Sequence, residues 1–132
     1  MTTTTFTVEG AAVRGIPSFY DEINRVFMGG EDWRLGDSLD ALDDLLYGGF
    51  GALAAATDPV RVVWRDAEAS RQALGRSETV AYYRRKLEQP ELFDQERFRR
   101  RLAEAESGTG PTYFDIVLDV FAGHPEVDLV LE

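Results

Sequence analysis

The residues best suited to chemistry are six acids between Glu31 and Asp44, a stretch of 14 residues that holds a single base. Four side chains of this region recur at positions i, i+3, i+4 and i+7: Asp40, Asp43, Asp44 and Tyr47. On a helix this spacing places the four on one face, while intervening leucines face the interior. Aspartate is a poor helix former and like charges four residues apart repel, so these acids destabilise their own helix. A local cost without a local gain is typical of a functional surface.

Other interpretations of these acids stay open at this stage. From physics alone, a solvated acidic face explains them as well as a binding surface does. A carboxylate site for Mg²⁺ or Ca²⁺ is disfavoured, because the stretch has no loop of alternating oxygen ligands and no neighbouring phosphate-binding motif. General acid–base catalysis by a carboxylate pair lacks any partner nucleophile or base that can be named. We therefore expect no metal, no cofactor and no enzymatic activity.

Three further features could carry chemistry but have simpler structural explanations. His124 precedes a proline, which predicts a turn and a structural histidine. The segment 48–51 (GGFG) follows a predicted helix, so it fits a helix stop better than a phosphate cradle. Bases interleaved with glutamates in two later helices predict solvated faces in preference to an anion site. These bases are Arg84, Arg85, Lys86, Arg97, Arg99, Arg100 and Arg101.

The overall charge narrows the class of partner. The 132 residues include 24 acids and 14 bases, a formal net charge of -10. Proteins that bind nucleic acids neutralise phosphates with Lys and Arg, so this balance excludes RNA and DNA and favours a strongly basic protein partner. The chain has no cysteine, no apolar run of membrane-spanning length and no signal-peptide pattern in Met1–Thr5. We expect a cytoplasmic protein with no membrane association.

The elements that must position these residues alternate between strands and helices. Period-two patterns and apolar runs predict strands over 4–9, 60–64 and 127–131. Helical periodicity predicts a helix opened by Ile16 and capped by Ser18, and further helices over 38–47, 66–74, 77–89 and 94–106, with a last one capped by Thr112. Strands separated by helices need crossover connections, which give a parallel sheet. The prediction is one α/β domain, residues 1–132, with a three-stranded parallel sheet.

The segment Gly36–Leu46 (GDSLDALDDLL) resembles Gly-x-Asn-Leu-Asp-Ala-Leu-x-Asp-x-Leu, the signature of the barstar family of intracellular ribonuclease inhibitors. Further along, Trp64-Arg65 is similar to the end of that family's second strand, and Val117–Phe121 to its last helix. The family's fold is a small three-stranded parallel sheet packed by helices, in agreement with the order of elements above. The resemblance also implies that residues 74–111, with their helices over 77–106, form a helical insertion.

In the barstar family, the acidic helix and the loop before it enter the basic active site of a ribonuclease, where carboxylates take the places of RNA phosphates. The resemblance implies that Asp44 is the main anchor and Asp40 the second acid. It also implies a loop that closes over the site, formed by Arg34, Leu35 and Gly36, and a far border formed by Tyr47 and Gly48. Trp33 beside the loop is expected to supply a buried anchor in the complex. Ser38 stands in place of the family's Asn and is expected to cap the helix. Asp43 replaces an aromatic residue and adds charge.

The resemblance therefore predicts an inhibitor that occludes the active site of a barnase-like ribonuclease or nuclease toxin, acting as a monomer in a one-to-one complex. The pair of barnase and barstar is itself a standard example of electrostatically steered association. One alternative is a barstar-like interaction module for a basic partner that is not a nuclease, using the Arg-rich inserted helices. A metal-dependent hydrolase built on the aspartates is another.

Overall fold

A computed structural model describes residues 2–132; Met1, the start of the segment searched for a signal peptide, lies outside the described residues. The elements in chain order are β1 (Thr4–Glu9), a 3₁₀ helix (Gly10–Ala12), α1 (Ile16–Phe27), α2 (Leu39–Leu46), α3 (Gly51–Ala55), β2 (Val60–Arg65), α4 (Ala67–Ala73), α5 (Arg76–Leu87), α6 (Gln95–Ser107), α7 (Tyr113–Ala122) and β3 (Val127–Leu131). None of the helices in this part of the chain has both the length and the apolar character needed to cross a membrane.

The three strands form one parallel sheet in the order β1-β2-β3, with β2 in the centre. In the register of the ladder, Val62 lies between Phe6 and Leu129. Val62 and Trp64 are fully buried because they share the face of the sheet that the helices cover, whereas Arg61 and Arg65 lie on the opposite face and are exposed. The predicted α/β class and three-stranded parallel sheet are confirmed.

Aromatic side chains connect the sheet to its helices. Trp64 of β2 stacks on Phe19 of α1 at 5.6 Å between ring centroids and meets Phe114 of α7 edge-on at 5.3 Å. The indole N–H donates to Ser70 Oγ at 3.0 Å, and Ser70 in turn donates to the carbonyl of Gly10 at 2.9 Å. These bonds satisfy buried polar atoms around the largest core side chain and join α4 to β2 and the 3₁₀ helix, while the ring contacts pack α1 and α7 against the sheet.

Helix α1 starts at Ile16 as predicted, but its cap differs from the prediction. The helix begins at Ile16, and Ser18 lies inside its first turn instead of capping it. The hydroxyl of Ser18 accepts the N–H groups of Arg14 at 2.7 Å and Gly15 at 3.1 Å. The hydroxyl therefore fixes the entry to the helix, but from a position inside it. Pro17 fits here because the first turn needs no N–H donor at that position.

Helices α5 and α6 form a hairpin that packs against α7. Tyr83 and Phe98 lie 6.0 Å apart between ring centroids, and Arg84 is paired with Glu106 at 3.5 Å. The hairpin joins the main body through Thr79, which is fully buried. Its hydroxyl accepts the N–H of Tyr113 at 2.8 Å and donates to the carbonyl of Gly75 at 2.7 Å. The predicted helices of this segment are present, and α5 starts one residue earlier than predicted.

Candidate functional site

Helix α2 presents its acids to solvent because its leucines are held in the core. Leu42, Leu45 and Leu46 are buried, whereas Asp40 and Asp44 are exposed. The helix starts where predicted, since Ser38 Oγ accepts the N–H of Ala41 at 3.1 Å as an N-cap does. Burying three leucines stabilises the chain by roughly 1.5–3 kcal/mol each, against roughly 0.2–0.5 kcal/mol for each like-charge repulsion. Packing therefore overrides the poor local sequence.

The helix ends at Tyr47 and Gly48. Gly48 has a φ of 83°, in the left-handed region that only glycine adopts without strain, and its N–H donates to the carbonyl of Leu45 at 3.0 Å. The following Gly51, with a φ of 71°, opens α3, and a Cβ there would lie 2.8 Å from the carbonyl oxygen of Phe27. Gly48 therefore ends α2, and Gly51 allows its backbone to pass close to that of Phe27. The prediction missed α3 because a five-residue helix has too little periodicity to recognise.

Asp43 differs from the other two acids of the helix. Its Oδ1 lies 2.6 Å from Nε2 of His124, and the ring N–H must donate because an ionised carboxylate only accepts. The His124 side chain is 3% exposed, and the edge of the ring contacts Tyr47 at 4.6 Å between centroids. On its other side, Nδ1 lies 3.5 Å from Glu126 Oε1. The carboxylate of Asp43 therefore ties α2 to the turn before β3, leaving Asp40 and Asp44 as the two acids of the outer face.

The loop before α2, residues 29–38, is held by an asparagine that the sequence did not single out. Asn24 of α1 accepts the N–H of Leu35 at 2.7 Å through Oδ1 and donates to the carbonyl of Leu35 at 3.1 Å through Nδ2. The side chain of Leu35 is buried in the core. The sequence does carry a signal for this role, since Asn24 lies beside the apolar stripe of α1. An amide that is partly buried there needs hydrogen-bond partners for both its oxygen and its nitrogen.

Arg34 of the same loop is directed toward carboxylates of its own chain. It donates to Asp21 Oδ1 at 2.7 Å and lies 3.5 Å from Asp37 Oδ1. These groups are solvent-exposed, so the pairs contribute little stability and can exchange for other contacts. Gly36 and Ser38 are exposed next to them, which leaves the backbone of the loop accessible.

Two exposed aromatic side chains belong to the same region as the acids. Trp33 is 47% exposed and packs against Phe50 at 4.9 Å between ring centroids. Tyr47, at 73% exposed, has the largest exposed fraction of the big apolar side chains in residues 2–132. The loop near Trp33 is fixed by Glu31, whose carboxylate accepts the N–H of Gly51 at 3.0 Å. Glu31 therefore supports the loop from within the chain.

Asp40 and Asp44 are the two acids that remain on the outer face of α2. Within residues 2–132, neither Asp40 nor Asp44 forms an ion pair or a side-chain hydrogen bond. The same part of the chain has no cluster of three or more His, Asp or Glu side chains that could ligate a metal ion. The arrangement offers two exposed, unpaired carboxylates on a rigid helix, together with two exposed aromatic rings. It is suited to recognising positive charge on another molecule.

The model of the barstar (barnase inhibitor) family matches residues 3–97, more than two thirds of the chain. This chain belongs to the barstar family. The matched region contains β1, α1, α2 and β2 and extends through α5 into α6, past residue 74 where an insertion was expected to begin. A search of curated proteins finds no matching relative. Membership in the barstar family makes this chain a barnase-inhibitor-like protein, and the family is one of inhibitors.

Proposed function

We propose that this barstar-family protein inhibits a barnase-like ribonuclease or a related nuclease toxin by inserting α2 and its preceding loop into a basic active site. The observation that supports this most strongly is the exposure of Asp40 and Asp44 on a helix whose leucines are buried. A solvated acidic face explains the exposure but not the concentration of six acids between Glu31 and Asp44. Carboxylates there can occupy the places of substrate phosphates opposite Arg, Lys and His side chains.

In this mechanism the rigidity of the helix lowers the cost of binding. The Ser38 cap and the two hydrogen bonds from Asn24 to Leu35 fix α2 and its loop before a partner arrives. Little conformational entropy is then lost on association, so more of the charge attraction appears as affinity. Asp44 is the main anchor and Asp40 the second acid.

The remaining contacts surround this pair of acids. The exposed rings of Trp33 and Tyr47 supply apolar area, and aromatic residues are common among the side chains that dominate binding energy. Arg34 exchanges its intramolecular partners for contacts at the rim of the partner. Other contacts come from Asp43, from Ser38 and from the backbone of three residues: Leu35, Gly36 and Gly48.

The charge of the whole chain supports the same mechanism at longer range. A net charge of -10 accelerates encounter with a basic protein and makes association sensitive to salt. The proposed complex contains one copy of each protein and forms inside the cell that makes the inhibitor. The protein itself performs no catalysis in this mechanism.

Co-expression tests the proposal directly. A host producing barnase or a related ribonuclease toxin should survive when the wild-type chain is present and die with Asp44→Ala at equal expression. The matched control is Asp58→Ala, because Asp58 is exposed and has no ion pair or side-chain hydrogen bond within residues 2–132. Failure to rescue against every ribonuclease tried would reject the proposal. Binding without inhibition would favour the alternative of a module for a basic partner that is not a nuclease.

A further inference from the structure

The hairpin α5–α6 has a charge composition unlike the rest of the chain. Residues 76–107 contain eight of the 14 bases but seven of the 24 acids. The hairpin is therefore close to neutral and slightly positive, while the remaining residues are strongly acidic. This segment lies next to the acidic surface of α2, so two regions of different charge border each other.

Two grooves separate the hairpin from the acidic region. The first has a volume of about 440 Å³, and its lining includes Asp37, Tyr82, Arg85, Lys86 and Phe93. The second, about 320 Å³, is lined in part by Leu39, Tyr82, Arg97, Arg101 and Asp119. Tyr82 borders both grooves. The grooves therefore continue the surface of α2 and its loop onto the hairpin.

Lys86 is the unusual side chain of the first groove. Its ammonium lies 4.1 Å from the ring centroid of Phe93 and 5.1 Å from that of Tyr82. Burial lowers the pKa of this ammonium, and the negative charge of Asp40 only partly opposes that effect. No carboxylate of residues 2–132 lies within ion-pair distance of it. A partly desolvated cation without an anionic partner favours a carboxylate from outside the chain.

We propose that the groove at Lys86 is a second contact region for the same partner and binds a carboxylate side chain at the rim of that partner's basic site. The inference rests on the proposed function, because it requires a partner already docked on α2. Asp40 and Lys86 lie close together in the structure, so they fit a partner surface on which a basic and an acidic side chain lie side by side. The two aromatic rings hold the ammonium in place and reduce the entropy lost on binding.

Replacing Lys86 changes the affinity in one direction if Lys86 contacts a carboxylate and in the other if only long-range attraction matters. Lys86→Gln makes the chain more acidic and frees Asp40 from a nearby cation. Long-range attraction to a basic partner should then become stronger, and affinity should rise or stay constant. A direct contact between Lys86 and a carboxylate predicts the opposite, a loss of affinity of about tenfold.

The experiment is calorimetric titration of four variants against a catalytically inactive barnase-family ribonuclease that the wild-type chain binds. The variants are Lys86→Gln, Lys86→Arg, Arg99→Gln and Asp44→Ala. Arg99 is the matched control, since it lies exposed on the same hairpin, lines neither groove and forms no ion pair within residues 2–132. We expect weaker binding for Lys86→Gln, most of the affinity restored in Lys86→Arg, and no loss for Arg99→Gln.

Two outcomes overturn the inference in distinguishable ways. If Asp44→Ala weakens binding but Lys86→Gln does not, the second contact region is rejected and the proposed function stands. If the wild-type chain binds no ribonuclease, both are rejected. Melting temperatures of all four variants show whether a loss of affinity reflects unfolding. If Lys86→Gln is unfolded, Lys86→Met takes its place, because methionine keeps the aliphatic stem. Weak binding by folded Lys86→Met supports the inference, and without a folded variant that binds weakly the inference is rejected.

Discussion

Helix α2 and the hairpin α5–α6 use charged residues in opposite ways. In α2 the exposed charges have one sign, and the outer pair, Asp40 and Asp44, has no partner within residues 2–132. In the hairpin the charges are mixed and several are paired, as in Arg84–Glu106 at 3.5 Å and Arg101–Glu104 at 3.9 Å. Charges that neutralise each other within a chain are less available to a partner. The unpaired acids of α2 are therefore the charges that another protein can use.

The two regions also differ in how they are held. Helix α2 lies over the main core through fully buried leucines, whereas α6 has one buried residue, Ala105, and otherwise half-buried contacts. Rigid support matters most where a surface must match a partner closely. Fully buried side chains therefore lie directly beneath the residues of α2 that have an unfavourable local sequence.

The largest expected effect on stability comes from removing that packing. Leu42→Ala should lower the free energy of unfolding by about 2–5 kcal/mol, because Leu42 is fully buried beneath the acidic face. Phe98→Ala in the hairpin should cost less, since Phe98 is only half-buried. Urea denaturation of both variants measures the difference. A larger loss for Phe98→Ala would reverse the comparison.

The carboxylate of Glu22 is buried and stabilises the fold, whereas that of Asp44 is exposed. Burial tends to raise the pKa of its carboxyl, but hydrogen bonds from Arg25 and from the N–H of Glu9 outweigh burial and lower it. A lowered pKa in the folded state means that this stabilisation is present above the unfolded value, about 4.3, and is lost as pH falls through the folded pKa.

Glu22→Gln should therefore reduce stability at neutral pH by about 1.5–3 kcal/mol and flatten the acid limb of the pH–stability curve. Thermal melts from pH 3 to pH 7 test this. The control is Asp58→Asn, which should leave the acid limb unchanged because Asp58 makes no such bonds within residues 2–132. An unchanged acid limb in Glu22→Gln would contradict the role assigned to this carboxylate.

The bond between Asp43 and His124 should contribute a smaller amount. A double-mutant cycle with Asp43→Asn and His124→Gln should give a coupling energy of about 1–2 kcal/mol at neutral pH, since the bond is partly buried and involves a charged acceptor. The same pair of changes should affect ribonuclease binding less than Asp44→Ala does. A coupling energy near zero would show that the Asp43 carboxylate is solvated like those of Asp40 and Asp44 and does not hold His124.

The smallest expected effect has the opposite sign. Asp44→Asn removes a like-charge repulsion with Asp40 and an acid near the carboxyl end of α2, so it should stabilise the protein by about 0.2–0.5 kcal/mol. Melting curves at low salt detect this change most clearly, because screening removes it. A destabilised Asp44→Asn variant would mean that this carboxylate supports the fold after all.

Much of this arrangement could be predicted from the sequence because it is periodic. The leucines of α2, its Ser38 cap and the three short apolar strands follow local rules, so they and the parallel sheet were predicted correctly. Contacts between distant segments follow no local rule. The bonds from Asn24 to Leu35 and from His124 to Asp43 join residues that lie 11 and 81 positions apart, respectively.

These distant contacts changed the description of the candidate site. The spacing of Asp40, Asp43 and Asp44 predicted one helix face with three carboxylates, because helix geometry places positions i, i+3 and i+4 together. The partner of Asp43 depends on where the turn before β3 lies, which the sequence of α2 does not specify. The hairpin was predicted as two helices, but its position beside Asp40 depends on contacts with α7, among them the hydrogen bond from the N–H of Tyr113 to the hydroxyl of Thr79.

The role of the α2 acids is best decided by the affinity of Asp44→Ala and Asp58→Ala for a catalytically inactive barnase-family ribonuclease, determined by calorimetry at low and high salt. Both variants lose one negative charge, so the net charge of the chain changes equally in the two. If the acids of α2 serve a partner, Asp44→Ala should lose about a hundredfold or more in affinity, as expected when one member of a buried charge pair is removed, while Asp58→Ala stays close to wild type. Equal losses in the two variants would contradict the account, because the acidity of the chain as a whole would then explain binding without a site on α2.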